Sequence, residues 1–315
     1  MVTSNLWKLL RDIRQADTDR YLWIDAISIN QDDDLERGHQ VQRMQVIYSG
    51  AERVLFYLGE TTGAIQNLMN SLSALQSQTL GCRWASDDPK WKTVWDTIRS
   101  KRGMSDGNMT DGIQKRGLEE LLARPWFRRV WILQEVANSR RALLCCGRGF
   151  IHAQIFALSP RLLGVLLDDH SRAVFELMPT YSQEGPRKLP NPDFGSVLVN
   201  FRRAVASDPR DRIFALIGLC ADSLVREVVK PDYTSYESHV IAAAVNYFML
   251  KDFGRSLEPI PELNILYIDG FLSKMVLKTQ IYRPLKYIEK ALIQFFGLLR
   301  RGLCTIFRQP KRVAY

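Results

Sequence analysis

One stretch constrains this chain more than any other: a strand-like apolar run from Tyr21 to Ile27, a helical pattern from Asp34 to Ser49, and a second apolar run from Arg53 to Leu58. Strand, helix and strand within forty residues is the pattern of a βαβ unit, which implies parallel strands joined by a right-handed crossover. Asp33 is placed to cap the helix with Glu36 three residues on as a capping box, while Val41, Met44, Ile47 and Ala51 mark its buried stripe and Gly50 its stop. The anomaly is Asp25, a charge in the middle of a run suited to burial, followed by Ser28, Asn30, Gln31 and three aspartates. Strands covered on both faces tolerate few charges, and ligands of open α/β sheets gather at the carboxyl ends of strands, where Asn30 to Asp32 would lie. Two readings stand. These residues line a polar crevice, or they are ordinary loop and cap residues with Asp25 bonded to neighbouring backbone or to an arginine.

Further along, Asn5 to Gln15 and Ala64 to Leu80 read as amphipathic helices, and Trp84, Trp91 and Trp95 fit core packing better than a binding surface. The stretch "RGMSDGNMTDG" reads as a loop, Gln114 to Asn138 as helical, and "ALLCCG" as a short buried strand ending at Gly147. A proline-rich passage from Pro179 to Pro192 precedes a third helical region. There Asp208 caps, Pro209 takes the first position, and Ile213, Phe214, Ile217 and Cys220 face inward.

With 46% hydrophobic residues the chain can bury a proper core. Its net charge of +9 suggests nucleic acid until it is located: Arg283 to Tyr315 carries +7 of it, leaving +2 for the rest. Basic charge without interleaved aromatics argues against a nucleic-acid partner, although an apolar helix flanked by basic residues there allows weak contact with an anionic membrane. The five cysteines contain no CxxC pair, which suits a reducing compartment, and the apolar tail stretch Ala291 to Leu299 falls far short of a bilayer span of roughly 20 residues. A cytoplasmic location is the expectation. The four histidines are scattered, so no metal site is expected, and no GxxxxGK(S/T), GxSxG, HExxH or GxGxxG occurs.

The run "LWIDAISINQDDDLERGHQVQRMQVIYSGAERVLFYLGE" resembles the signature block of the fungal heterokaryon incompatibility (HET) domain. Two further blocks follow in order, "LLARPWFRRVWILQEVANSRRALLCCG" and "ASDPRDRIFALIGL", the second continued by "VKPDYTSYESHVIAAAV". The resemblance implies a domain over 1–250, with 251–315 as a divergent basic segment. It implies a helix-rich α/β fold similar to the TIR domain, a Rossmann-like parallel sheet flanked by helices. Family members open with a strand and turn of the kind "ALSYVWG", whereas this chain starts at Met1 past that point, so a sheet lacking its first strand is expected. Ser28 stands where the family usually has cysteine.

The resemblance also implies a role in nonself recognition and regulated cell death, with other proteins of the incompatibility system and further copies of the chain as partners. Some TIR domains cleave the bond between nicotinamide and ribose in NAD, which would make NAD a substrate with no cofactor required. Such cleavage passes through an oxocarbenium-like state that one carboxylate stabilises, while aromatic surfaces hold the base and arginines the diphosphate. On this reading Glu135 is the catalytic carboxylate, Asp25 and Asn30 shape the crevice, Trp131 lies beside Glu135, and Arg128 and Arg210 contact the anion. Arg128 and Glu135 would share a face of one helix with Trp131 between them. The alternatives are a non-catalytic interaction module or an inactive remnant, with Glu135 in a structural ion pair to Arg210 or Arg212 and "DPRDR" a simple cap.

Overall fold

The computed structural model describes residues 3–101, 107–179 and 193–253. Most of the proline-rich passage and all of the basic tail lie outside the described residues, as do the membrane and partner expectations attached to that tail. The chain divides into two units, 1–234 and 235–315. The first unit carries the sheet and every candidate site residue. In the second, a helix spans Glu237–Phe253, with Tyr247 and Phe248 packed edge to face at 5.0 Å.

The first unit opens with α1 (Ser4–Ile13), capped by the Thr3 hydroxyl, which accepts from the Leu6 N–H at 3.3 Å. The expected strand at Tyr21–Ile27 does not form. Residues 21–24 are irregular and largely exposed, and Asp25–Ser28 coil into a single turn, α2. The cause is local competition for backbone donors. The N–H groups of Ile27 and Ser28 both bond to the Ile24 carbonyl, Ile29 N–H bonds to Asp25 O, and the Asp25 carboxylate accepts from Ala26 N–H at 2.8 Å. A segment whose amides are spent on itself has few left for a ladder.

The helix after it, α3 (Asp34–Gly50), stands as expected: the Asp33 carboxylate accepts from the N–H groups of Leu35 and Glu36, both at 3.0 Å. Glu36 does not close a capping box onto Asp33, but reaches Asn30 N–H at 3.1 Å and so ties down the loop before the helix. Then comes β1 (Val54–Tyr57).

Parallel pairing is present, but between different partners: β1 lies beside β2 (Ala142–Cys146), in register Val54 to Ala142. The crossover holds α4 (Gly63–Gln78), α5 (Lys90–Lys101), α6 (Gly107–Leu122) and α7 (Ile132–Asn138). Trp91 and Trp95 on α5 are completely buried, as core packing requires. The region Gln114–Asn138 is not one helix, because Pro125 removes a donor and opens a 3-10 turn, Pro125–Arg128, between α6 and α7. A hairpin through Gly147, whose φ of +53° favours glycine, adds an antiparallel β3 (Gly149–His152) that the sequence reading did not anticipate. The sheet is therefore small and mixed, in the order β1-β2-β3. The fold class is helix-rich α/β.

Short helices α8 (Ala153–Phe156), α9 (Ser159–Leu163), α10 (Asp169–Leu177) and α11 (Phe194–Asn200) follow, and the Phe175 ring stacks on both Phe127 and Phe156. Next, α12 (Asp211–Ile217) starts two residues later than expected, with Asp208 accepting from Arg210 N–H ahead of it. Ile213, Phe214, Ile217 and Cys220 are buried, and α13 (Ser223–Val228) follows, leaving the Glu237–Phe253 helix as α14.

Candidate functional site

Helices α3 and α7 pack against one another, and the charge of Asp25, on α2, reaches Glu135 on α7. Glu135, in the first turn of α7, is half-buried, with no hydrogen bond or ion pair to its carboxylate among the described residues. Burial pushes its pKa up to about 7, Arg129 opposes the shift, and Asp25 adds to it. The Tyr48 hydroxyl on α3 belongs to the same cluster: burial raises its pKa, the charges of Glu135 and Asp25 add, and Arg129 opposes. Trp23, 39% exposed, packs edge-on against Tyr48 with centroids 6.2 Å apart. The cluster thus holds two carboxylates, a phenol, a guanidinium and an indole.

Asp25 keeps one carboxylate oxygen on Ala26 N–H. Asn30 is exposed and acts locally, its side-chain oxygen accepting from Asp32 N–H at 3.3 Å and its own N–H bonding to Glu36. Arg128, the last residue of the 3-10 turn, is engaged by Asp168 at 2.5 Å, where burial raises the Asp168 pKa but the Ser171 N–H and Arg128 outweigh it and hold it at about 2. Beyond the turn the backbone is extended at Arg129 (φ −68°, ψ 134°) and bridges in parallel to Val205. Arg129 is the cation whose charge reaches Glu135.

Trp131 and Arg210 sit in a different network. Trp131 donates from Nε1 to Asp211 Oδ2 at 3.0 Å, and the Tyr233 hydroxyl donates to Asp211 Oδ1 at 2.5 Å. Arg210 donates to both oxygens of Asp208, at 2.9 and 2.7 Å, and to the Tyr233 carbonyl at 2.6 Å. Its side-chain bond is the largest influence holding the Asp208 carboxyl below its usual range. Arg37 lies over the Tyr233 ring at 3.6 Å and bonds Asp208 at 3.3 Å. The "DPRDR" segment is therefore a clamp joining α3, α12 and the Tyr233 loop, and neither Arg210 nor Arg212 pairs with Glu135.

Three cluster members, Tyr48, Arg129 and Trp23, were not among the sequence candidates, yet each left a trace. Tyr48 follows Val41 and Met44 at helical spacing, and Pro125 announces the break that hands the Glu135 side to Arg129. Among the described residues no cluster of three or more His, Cys, Asp or Glu is arranged to hold a metal ion, and no helix is long and apolar enough to cross a membrane.

Comparison with known proteins places these features. Residues 1–135, which end at Glu135, match the family model described as heterokaryon incompatibility protein (HET). Over 273 residues, 74% of this chain, the sequence is 25% identical to heterokaryon incompatibility protein 6, OR allele, of Neurospora crassa. The chain spans about 40% of the length of that relative. No solved structure matches.

Proposed function

We propose that this chain, whose residues 1–135 carry the heterokaryon incompatibility (HET) family match, acts in fungal nonself recognition and the cell death that follows it, by cleaving NAD. The observation that carries the reading is the Glu135 carboxyl: half-buried, with no hydrogen bond or ion pair among the described residues, its pKa pushed up to about 7 chiefly by burial, with the charge of Arg129 opposing and that of Asp25 adding. Such a group costs stability and is kept where chemistry needs it.

In the proposed reaction the bond between the ribose anomeric carbon and the nicotinamide nitrogen breaks, and its electron pair leaves with neutral nicotinamide. The ionised Glu135 faces the positive charge that builds on the ribose, in a setting where burial strengthens the interaction. Water then adds to the anomeric carbon and releases a proton to solvent. A TIR-like origin of the domain, a cytoplasmic location, self-association and engagement of other incompatibility proteins belong to this same proposal.

The exposed Tyr21, Leu22 and Ile27 favour one second reading, a non-catalytic interaction module that binds partners through this apolar run. Inducible expression in fungal cells, with NAD measured beside growth, separates the two. Growth arrest with NAD loss, both abolished by Glu135→Ala, supports cleavage. Arrest with NAD unchanged rejects it and leaves the module.

A further inference from the structure

The two faces of the three-stranded sheet are covered unequally. Strand alternation puts Val54, Phe56, Ala142, Leu144, Cys146 and Ile151 on one face, and all six are buried. Met69 of α4 lies against that face at Gly149, and the Trp126 ring meets Phe56 with centroids 5.3 Å apart. The opposite face carries two in-register rows, Leu55–Leu143–His152 and Tyr57–Cys145–Phe150. Asp12 of α1 reaches the second row, accepting from the Tyr57 hydroxyl at 3.2 Å, and Cys145 is buried there. Leu55, Leu143 and Phe150 are only half-buried, and His152 is exposed. Parallel strands such as β1 and β2 belong to sheets with helices on both faces, so this face is short of cover.

A pair of cations continues the rows. Arg53 and Arg141 directly precede β1 and β2, and Val54 N–H donates to the Arg141 carbonyl at 2.8 Å. The ladder therefore holds the two arginine backbones side by side, about 4.8 Å apart. Both residues are exposed, and neither guanidinium makes a hydrogen bond or ion pair among the described residues. Like charges facing each other across strands destabilise a sheet, and an anion brought by a partner relieves that cost. Burial first and the Arg53 charge second lower the His152 pKa, as expected of a guanidinium at the open face.

Spacing selects the occupant. Rows along a strand recur every two residues, about 6.6 Å, and a helix rises about 6 Å from one residue to the fourth after it. A helix laid along the strands can set a carboxylate over Arg53 and Arg141, and apolar side chains one and two turns on over Leu143 with Leu55 and then over Phe150. Half-buried rows lie below the surrounding surface, where the ridge of a helix reaches and a flat lipid surface does not. We propose that this face docks an amphipathic helix of another protein, with the acidic end of that helix on Arg53 and Arg141 and its apolar stripe on Leu55, Leu143 and Phe150. The surface goes beyond the NAD-cleaving reading and does not depend on it.

The test is fluorescence anisotropy of the full chain with a labelled synthetic helix of about 15 residues, long enough to hold its fold, that carries glutamates in its first turn and a leucine stripe. The same helix with lysines in place of the glutamates is measured beside it. Wild type is expected to prefer the acidic helix at least tenfold, and the double variant Arg53→Glu, Arg141→Glu to reverse the preference. Leu143→Ser is expected to weaken binding of the acidic helix at least fivefold, and the exposed control Lys115→Glu to stay within twofold, with circular dichroism confirming that each variant is folded. No binding to wild type at millimolar helix, or a preference that survives the double variant, overturns the proposal. So does sedimentation with phosphatidylserine vesicles that the double variant abolishes and the acidic helix does not compete, which assigns the face to lipid. A dimer that Leu143→Ser dissociates and the helix leaves intact overturns it in favour of a second copy.

Discussion

Replacing Glu135 with glutamine keeps its shape and removes its charge, and the structure dictates how stability should respond. The carboxyl goes from an unfolded reference of 4.5 to about 7 in the folded protein, chiefly through burial. Below the reference value it is neutral in both states and costs nothing. As pH rises from there, the folded protein retains a proton that the unfolded chain releases, so the wild type loses stability until the folded pKa is passed, and above it the full cost of a buried charge remains. At about 1.36 kcal/mol for each tenfold change in proton affinity, the cost is on the order of 3 kcal/mol. Glutamine never incurs it. Glu135→Gln is therefore expected to match the wild type within about 1 kcal/mol at pH 5 and to exceed it by about 3 kcal/mol at pH 8. Urea denaturation followed by tryptophan fluorescence at both values measures this, and subtracting wild type from variant cancels the other titrating groups. A difference that does not change with pH, or that favours the wild type at pH 8, refutes the reasoning, because it means that Glu135 is paired or fully hydrated in solution.

Further substitutions test the packing of the first unit. A Cβ added at Gly117 would lie 2.4 Å from the Ala64 carbonyl oxygen, so Gly117→Ala is expected to destabilise by about 1–3 kcal/mol. Gly112→Ala, on the same helix with nothing within 4 Å, should be neutral or stabilising by up to about 1 kcal/mol in the same thermal-unfolding series. Arg210→Ala strips Asp208 of its two-oxygen partner and the Tyr233 carbonyl of a donor, and should cost about 2 kcal/mol in urea denaturation, more than Asp208→Asn.

The sequence patterns were most readable where one helix or strand could be judged alone. Asp33 caps α3 as its chemistry implies and the helix ends at Gly50, Val54–Tyr57 forms a strand, and α4 follows the spacing of its buried Ile65, Leu68, Leu72 and Leu75. What failed depended on partners the pattern cannot name. Tyr21–Ile27 has the composition of a strand, but a strand needs a neighbour, and the side chains of Asp25 and Ser28 offered its amides local bonds instead. β3 escaped notice because Gly149–His152 is short and its signal is the hairpin at Gly147 rather than any periodicity.

The site shows the same division. Burial of the face formed by Trp126, Val130, Leu133 and Ala137 follows from helical spacing even though the helix is interrupted. The choice between Arg128 and Arg129 turned on that interruption, since the 3-10 turn leaves Arg128 bonded to Asp168 while the charge of Arg129 is the one that acts on Glu135. The role of "DPRDR" was equally open in sequence, because Asp208 and Arg210 can clamp each other or a ligand. The Tyr233 carbonyl, contributed from a loop beyond α13, is what engages Arg210 further.

The most direct test of the central claim is nicotinamide release from NAD by the purified chain, followed between pH 5 and 9 beside Glu135→Gln. Release that rises through pH 7 as Glu135 ionises, levels off above it, and falls by at least a hundredfold in the variant is the predicted result. Release that is absent in the wild type, or equal in the two proteins at every pH, contradicts the account.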